Sequence, residues 1–202
     1  MDTIEQALAE LKKGRFIIVV DDQSRENEGD FILAAQYCTP EKINFLLKHG
    51  KGLICAPLTE KRAKQLELPR MVPDRFNTEA TQCKFTISVD KKSKGTGISA
   101  KDRSATILAL SDGKTKAKEF ARPGHIFPLI AEEKGVLARD GHTEAAIDLL
   151  RLASLKEVGV LCEILNEEGD AATFEELELF AREYRLIMIS INDLIEYRRD
   201  HA

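Results

Sequence analysis

Cysteine is scarce: four in 202 residues, at Cys38, Cys55, Cys83 and Cys162, with no Cys-x-x-Cys spacing. Neither a disulfide framework nor a thiolate metal site has a pattern to rest on, and reduced thiols in a cytosolic protein are expected. No apolar run approaches the roughly 20 residues of a membrane span. The first residues, MDTIEQALAELKKG, form an amphipathic helix pattern and lack a signal peptide's continuous apolar region. The net charge of −4 gives no reason to expect nucleic acid or an anionic membrane as partner. No Gly-x-Gly-x-x-Gly follows any predicted strand, so the nicotinamide fingerprint is missing. The 12 glycines and 6 prolines are spread thinly, without a repeat or a low-complexity linker, so no domain boundary suggests itself.

What is present is an alternation of helix and strand patterns from end to end. Helices are expected at 4–13, at 41–49 behind Thr39 and Pro40 as cap and first residue, over SAKDRSATILALSDG, over GHTEAAIDLLRLAS, over TFEELELFAREY and over INDLIEYRR. RFIIVV, DFILAAQY, GLICAPL, QCKFTISVD, VGVLCEIL and RLIMIS read as strands. KTKAKEFARPG reads as a basic loop, and HIFPLIA as an extended segment that Pro128 marks as an edge or a break. The expected class is α+β: a single three-layer domain over residues 1–202, with a mixed twisted sheet and helices on both faces.

Three stretches carry chemistry. The first is DDQSRENEGD, with Asp21, Asp22, Glu26, Glu28 and Asp30 crowded between two apolar runs. Water relieves such repulsion in an exposed loop; a divalent cation relieves it in a cleft. On a straight strand, residues two apart are separated by roughly 6.6 Å, too far for three such acids to share one hard ion directly. The segment therefore bends at Asn27 or Gly29, or some acids act through water, a second ion or a substrate. Arg25 either neutralises the run or clamps a phosphate.

The second is the pair RPGHIFP and RDGHTEAA, which share Arg-x-Gly-His. The latter opens a helix, so the amides of Gly141 to Thr143, with Arg139 beside them, form a plausible anion cradle. The plainer alternative makes Thr143 a helix cap and each histidine a surface residue. His142 suits a metal, and His125 acid–base work. The third is Glu163 in GVLCEIL, where a carboxylate among apolar neighbours must be paired, metal-linked, protonated or at an open strand end. The alternative places it in water at the sheet edge.

In this order the blocks DDQSRENEGDFILAA, GTGISAKDRSAT, RPGHIFPL and RDGHTEAAIDLLRLA…GVLCEI resemble the 3,4-dihydroxy-2-butanone 4-phosphate synthase family of riboflavin biosynthesis, over roughly residues 4–197. The resemblance implies a lyase that converts D-ribulose 5-phosphate to L-3,4-dihydroxy-2-butanone 4-phosphate and formate. It implies Glu26 and His142 as ligands of Mg²⁺ or Mn²⁺. Arg25, Asp30 and the segment Arg139, Asp140, Gly141, His142, Thr143 would bind the sugar phosphate, alongside Glu26 and Glu163. His125 and Glu163 would move protons, with Asp21, Glu28 and Cys55 at positions lining the site. Family members are homodimers, and a cytoplasmic, monofunctional form is expected because the chain stops before a cyclohydrolase half. Gln23, Ser24, Ile130 and Ser154 depart from the family pattern; Ile130 replaces an arginine and Ser154 a glycine. Two rivals are a metal-dependent aldolase or isomerase for a related sugar phosphate, which product analysis separates, and a binding module without turnover.

Overall fold

The computed structural model describes residues 1–22 and 25–201; the departures at Gln23 and Ser24 lie outside the described residues. Among the described residues, seven strands form one sheet: β1 (Ile17–Val20), β2 (Gly29–Ala34), β3 (Cys55–Thr59), β4 (Val89–Lys91), β5 (Phe120–Ala131), β6 (Gly159–Glu163) and β7 (Ile187–Ser190), in the order β4-β5-β3-β6-β2-β1-β7. β1 and β7 are parallel, as are β3 and β5, while β1–β2, β2–β6, β3–β6 and β4–β5 are antiparallel. The sheet is mixed, as expected.

The helices are α1 (Ile4–Lys12), α2 (Pro40–His49), α3 (Glu60–Gln65), α4 (Ala100–Ser111), α5 (His142–Leu152), α6 (Phe174–Tyr184) and α7 (Ile191–Asp200). Strand alternation divides them between two faces. Ile18, Val20, Phe31 and Leu33 point into a core closed by Ile43 and Leu46 of α2, Ile107 and Leu110 of α4, and Leu177 of α6. Ile17, Val19 and Ile32 point the other way, onto Leu11 of α1, Ala145 and Leu149 of α5, and Leu194 of α7. Each such buried aliphatic side chain contributes about 1.5–3 kcal/mol by leaving water. Two cores on one sheet give the three layers.

Polar residues set the helix starts. Thr39 accepts from Lys42 N ahead of Pro40, Ser99 caps α4, Thr173 forms a capping box with Glu176, and Ser190 caps α7. α5 is different: its N-cap is Gly141, with no side-chain cap bond.

Three strand expectations change. DFILAAQY stops pairing at Ala34 and continues as a 3-10 turn, Ala35–Tyr37. QCKFTISVD joins a strand only at its last two residues, Val89 and Asp90, where β4 begins; Phe85 and Thr86 make isolated bridges. KTKAKEFARPG is not all loop, because β5 begins at Phe120 and runs through Pro123 and Pro128. Pro128 marks neither edge nor break. It sits opposite Ala56 of β3, and its carbonyl accepts from Thr86 N at 2.9 Å. The donor that proline lacks falls on that same side, where pairing has thinned to bridges. Ile130 is buried in the same core as Phe31 and Leu33.

Candidate active site

The acidic stretch is a loop folded around one of its own members. Asp21 follows β1; its Oδ1 accepts from Glu28 N at 2.9 Å, and its Oδ2 accepts from Glu26 N at 3.0 Å and from Arg25 Nη1 at 2.9 Å. The chain reverses at Asn27, whose φ of 55° is a left-handed conformation that asparagine tolerates. The bend therefore lies at Asn27. Gly29 is already in β2 and serves packing instead, since a Cβ there would press on Leu177 of α6. Arg25 also reaches Glu26 and lies 3.5 Å from Asp140 Oδ1, so it both neutralises the loop and ties it to the segment before α5.

That segment delivers the histidine. His142, the first residue of α5, is only 6 % exposed, and its Nδ1 lies 3.8 Å from Glu26 Oε2 and 3.8 Å from Asp30 Oδ2. Because Gly141 is the cap, Thr143 is not; it is buried, with its hydroxyl 3.8 Å from Cys83 Sγ. Arg139 is fixed rather than free. Its Nε and Nη2 donate to Thr81 O and Oγ1 at 2.8 Å, and its Nη1 to Glu144 Oε2 at 2.6 Å. Glu144, which sequence reasoning missed, also accepts from Glu132 N and so closes the loop before α5.

The sheet supplies the floor. Asp30 and Glu163 are paired across β2 and β6, and alternation places both on the α5 face. β6 is the middle strand, so Glu163 does not stand at the sheet edge; its Oε2 accepts from Leu53 N at 2.7 Å. Cys55 lies one strand further, opposite Leu161, in a small apolar cluster with Leu129.

Burial and charge then act against each other. Burial raises Asp30 to about 7, and the neighbouring carboxylates add to the rise. Burial likewise raises Glu28 and Glu163, and holds Cys55 as the neutral thiol well above the ordinary range. For His142 burial alone would favour the neutral ring, but Asp30, Glu26 and Asp21 outweigh it and raise it to about 9. Glu26, facing His142 and beside Arg25, is lowered to about 2. An imidazolium thus offsets the crowded carboxylates.

The same atoms fit a divalent cation. Among the described residues Asp21, Glu26 and His142 offer ligand atoms that all lie within 4.8 Å of one another. His142 Nδ1 and Asp30 Oδ2 are the atoms that face each other, while two other buried atoms of these groups, His142 Nε2 and Asp30 Oδ1, have no hydrogen-bond partner among the described residues. Such atoms are costly unless a ligand satisfies them. Glu26 and His142 are the pair that the family resemblance implies as ligands. Asp21 joins them in reach, although its oxygens already organise the loop.

One expected member stands apart. His125 precedes Phe127, which pairs with Cys55; Cys55 pairs with Leu161, and Leu161 with Ile32. Three strand spacings, about 14 Å, therefore lie between the strand that carries His125 and the strand that carries Asp30. Within the chain His125 instead meets Asp90, 2.7 Å from its Nδ1.

Residues 5–197 match the family model of 3,4-dihydroxy-2-butanone 4-phosphate synthase. The chain is 52 % identical over 198 residues to the riboflavin biosynthesis protein RibBA of Bacillus mycoides, covering 98 % of this chain and 49 % of that protein. It is 55 % identical over 203 residues to RibBA of Cytophaga hutchinsonii, covering 100 % and 50 %. The chain thus spans about half the length of the curated relatives it matches. Among solved structures, a two-domain synthase from A. baumannii superposes with a TM-score of 0.93 at 42 % identity, over 98 % of this chain and 58 % of that one. A synthase solved in complex with two magnesium ions superposes with a TM-score of 0.92 at 40 % identity, over 99 % and 98 %. With a family model spanning nearly its full length and relatives above half identity, the chain belongs to the 3,4-dihydroxy-2-butanone 4-phosphate synthase family.

Proposed function

We propose that the chain is a lyase that converts D-ribulose 5-phosphate to L-3,4-dihydroxy-2-butanone 4-phosphate and formate. The observation that carries the reading is the meeting of Glu26, from the acidic loop, with His142, from the start of α5, beside the buried Asp30 and the half-buried Glu163. Glu26 and His142 would hold Mg²⁺ or Mn²⁺, with Asp21 in reach. When bound, the ion supplies Lewis-acid polarisation of the ketose oxygens.

The residues around it meet the remaining demands. Enolisation needs a base beside the ketone, and loss of a hydroxyl needs an acid. Glu163 and Glu28, both raised above the ordinary carboxylate range by burial, suit groups that give and take protons. Asp30 holds a sugar hydroxyl. The uncapped amides of Gly141 to Thr143, with Arg139, Asp140 and Arg25 at the rim, position the phosphate. Cys55 lines the floor.

His125 is the second acid–base group. Its distance from the Glu26–His142 cluster of its own chain favours a homodimer in which it serves the partner's site. No helix among the described residues is long and apolar enough to cross a membrane, and the four cysteines are free, in keeping with the proposed cytoplasmic location. The test is incubation with ribulose 5-phosphate and Mg²⁺, with and without chelator, scoring formate. Formate that disappears with chelator supports the reading; a triose phosphate or pentose isomer, or binding without turnover, ends it.

A further inference from the structure

Asp90 and His125 are brought together by a break in the β4–β5 ladder. Val89 pairs with Ile126, but Asp90 pairs with Ala121, so residues 122–125 are thrown out as a bulge. Bulges of this kind re-aim side chains. Two glycines permit the fit. A Cβ at Gly124 would collide with the backbone of Val89 and Asp90, and one at Gly97 would overlap the Asp90 carboxylate and come within 2.8 Å of His125 Nδ1.

The buried Asp90 gives both oxygens to one residue. Oδ1 accepts from the His125 backbone N–H at 2.9 Å, and Oδ2 lies 2.7 Å from His125 Nδ1. An ionised carboxylate only accepts, so Nδ1 must carry a hydrogen. The ring itself stays open, with a side-chain exposure of 41 %. Holding a backbone amide and a ring nitrogen with one carboxylate fixes orientation and tautomer together.

We infer that Asp90 is a positioning residue that locks His125 in the Nδ1–H tautomer and leaves Nε2 bare as the proton acceptor. Its use in the reaction rests on the acid–base role proposed above for His125; the locking does not. The substitution Asp90→Asn tests it sharply. The amide oxygen must take the His125 backbone N–H, because an NH₂ group cannot accept. The NH₂ then faces Nδ1, which must accept, and the hydrogen moves to Nε2. Shape and backbone contacts survive while the tautomer inverts.

The experiment is two-bond ¹H–¹⁵N correlation on the ¹⁵N-histidine-labelled full chain, at about pH 9, where an ordinary imidazole is neutral. His125→Gln assigns the peaks. Wild type should show a protonated Nδ1 and a bare Nε2. Asp90→Asn should reverse them and lower kcat for formate release by at least about 10²-fold, with KM changed less than about threefold. A wild-type ring protonated at Nε2 would overturn the inference without any variant having to fold. An inverted tautomer with unchanged kcat would overturn the positioning role. If wild type released no formate at all, the proposed function would fail while the spectrum still decided the locking.

Discussion

At the scale of single residues, the centre is a balance of buried charge, and pH acts on it with a definite sign. His142 rises from 6.5 to about 9 in the folded chain because acids surround it. Its stabilisation is fully present below about pH 6.5 and is lost as pH rises through 9, a contribution of order 3 kcal/mol. Asp30, raised by burial, works in the same direction between its ordinary 3.8 and about 7, since ionising it inside the fold costs stability. Glu26, lowered, works oppositely, but only as pH falls toward 2. The chelated protein should therefore show a lower urea midpoint at pH 9 than at pH 6. His142→Asn should flatten that difference, and an equal slope in both proteins would contradict the balance. The sequence made Glu26, His142 and Glu163 visible through residue type and apolar context. It could not show that Asp90 faces His125, because 35 residues and a bulge separate them.

At the scale of elements, the link from sequence to structure is strongest where a local rule acts alone. The cap at Thr39 was read directly, and Ser99, Thr173 and Ser190 cap helices whose sequence patterns begin beside them. The end of α5 obeys a rule its sequence breaks. Ser154 N donates to Arg151 O and Leu155 N to Leu150 O, a Schellman closure with Ser154 in the left-handed position at φ 57°. Glycine occupies that position at lower cost. Ser154→Gly should stabilise the chain by up to about 1 kcal/mol and raise Tm by about 2–4 °C. A calorimetric scan showing a fall would contradict it. The strands were less legible. QCKFTISVD alternates well but finds a partner strand along only part of its length, and FARPG looked like a loop because its proline and glycine signal a break that β5 absorbs beside thinned pairing. Whether a segment pairs depends on what lies across from it, and that is not a local property.

For the whole molecule, topology decides which groups can meet. Placing β6 between β3 and β2 puts Glu163 against Asp30 and sets α5 above both. The same order keeps His125 three strands away. If dimers share sites, two inactive variants should rescue each other. Mixing Glu26→Gln with His125→Ala by co-refolding should restore about a quarter of wild-type formate release, because half the dimers are mixed and each has one intact site. No recovery in demonstrated mixed dimers would place His125 in the site of its own chain.

The central claim is that Glu26 and His142 hold one divalent centre on which formate release depends. Calorimetric titration of Mn²⁺ into the chelator-stripped protein, with formate scored in parallel, tests it most directly. Wild type should bind Mn²⁺ saturably. Glu26→Gln and His142→Ala should each lose that binding and formate release together, with circular dichroism unchanged. Wild-type affinity in folded His142→Ala, or formate release indifferent to chelator, would contradict the claim.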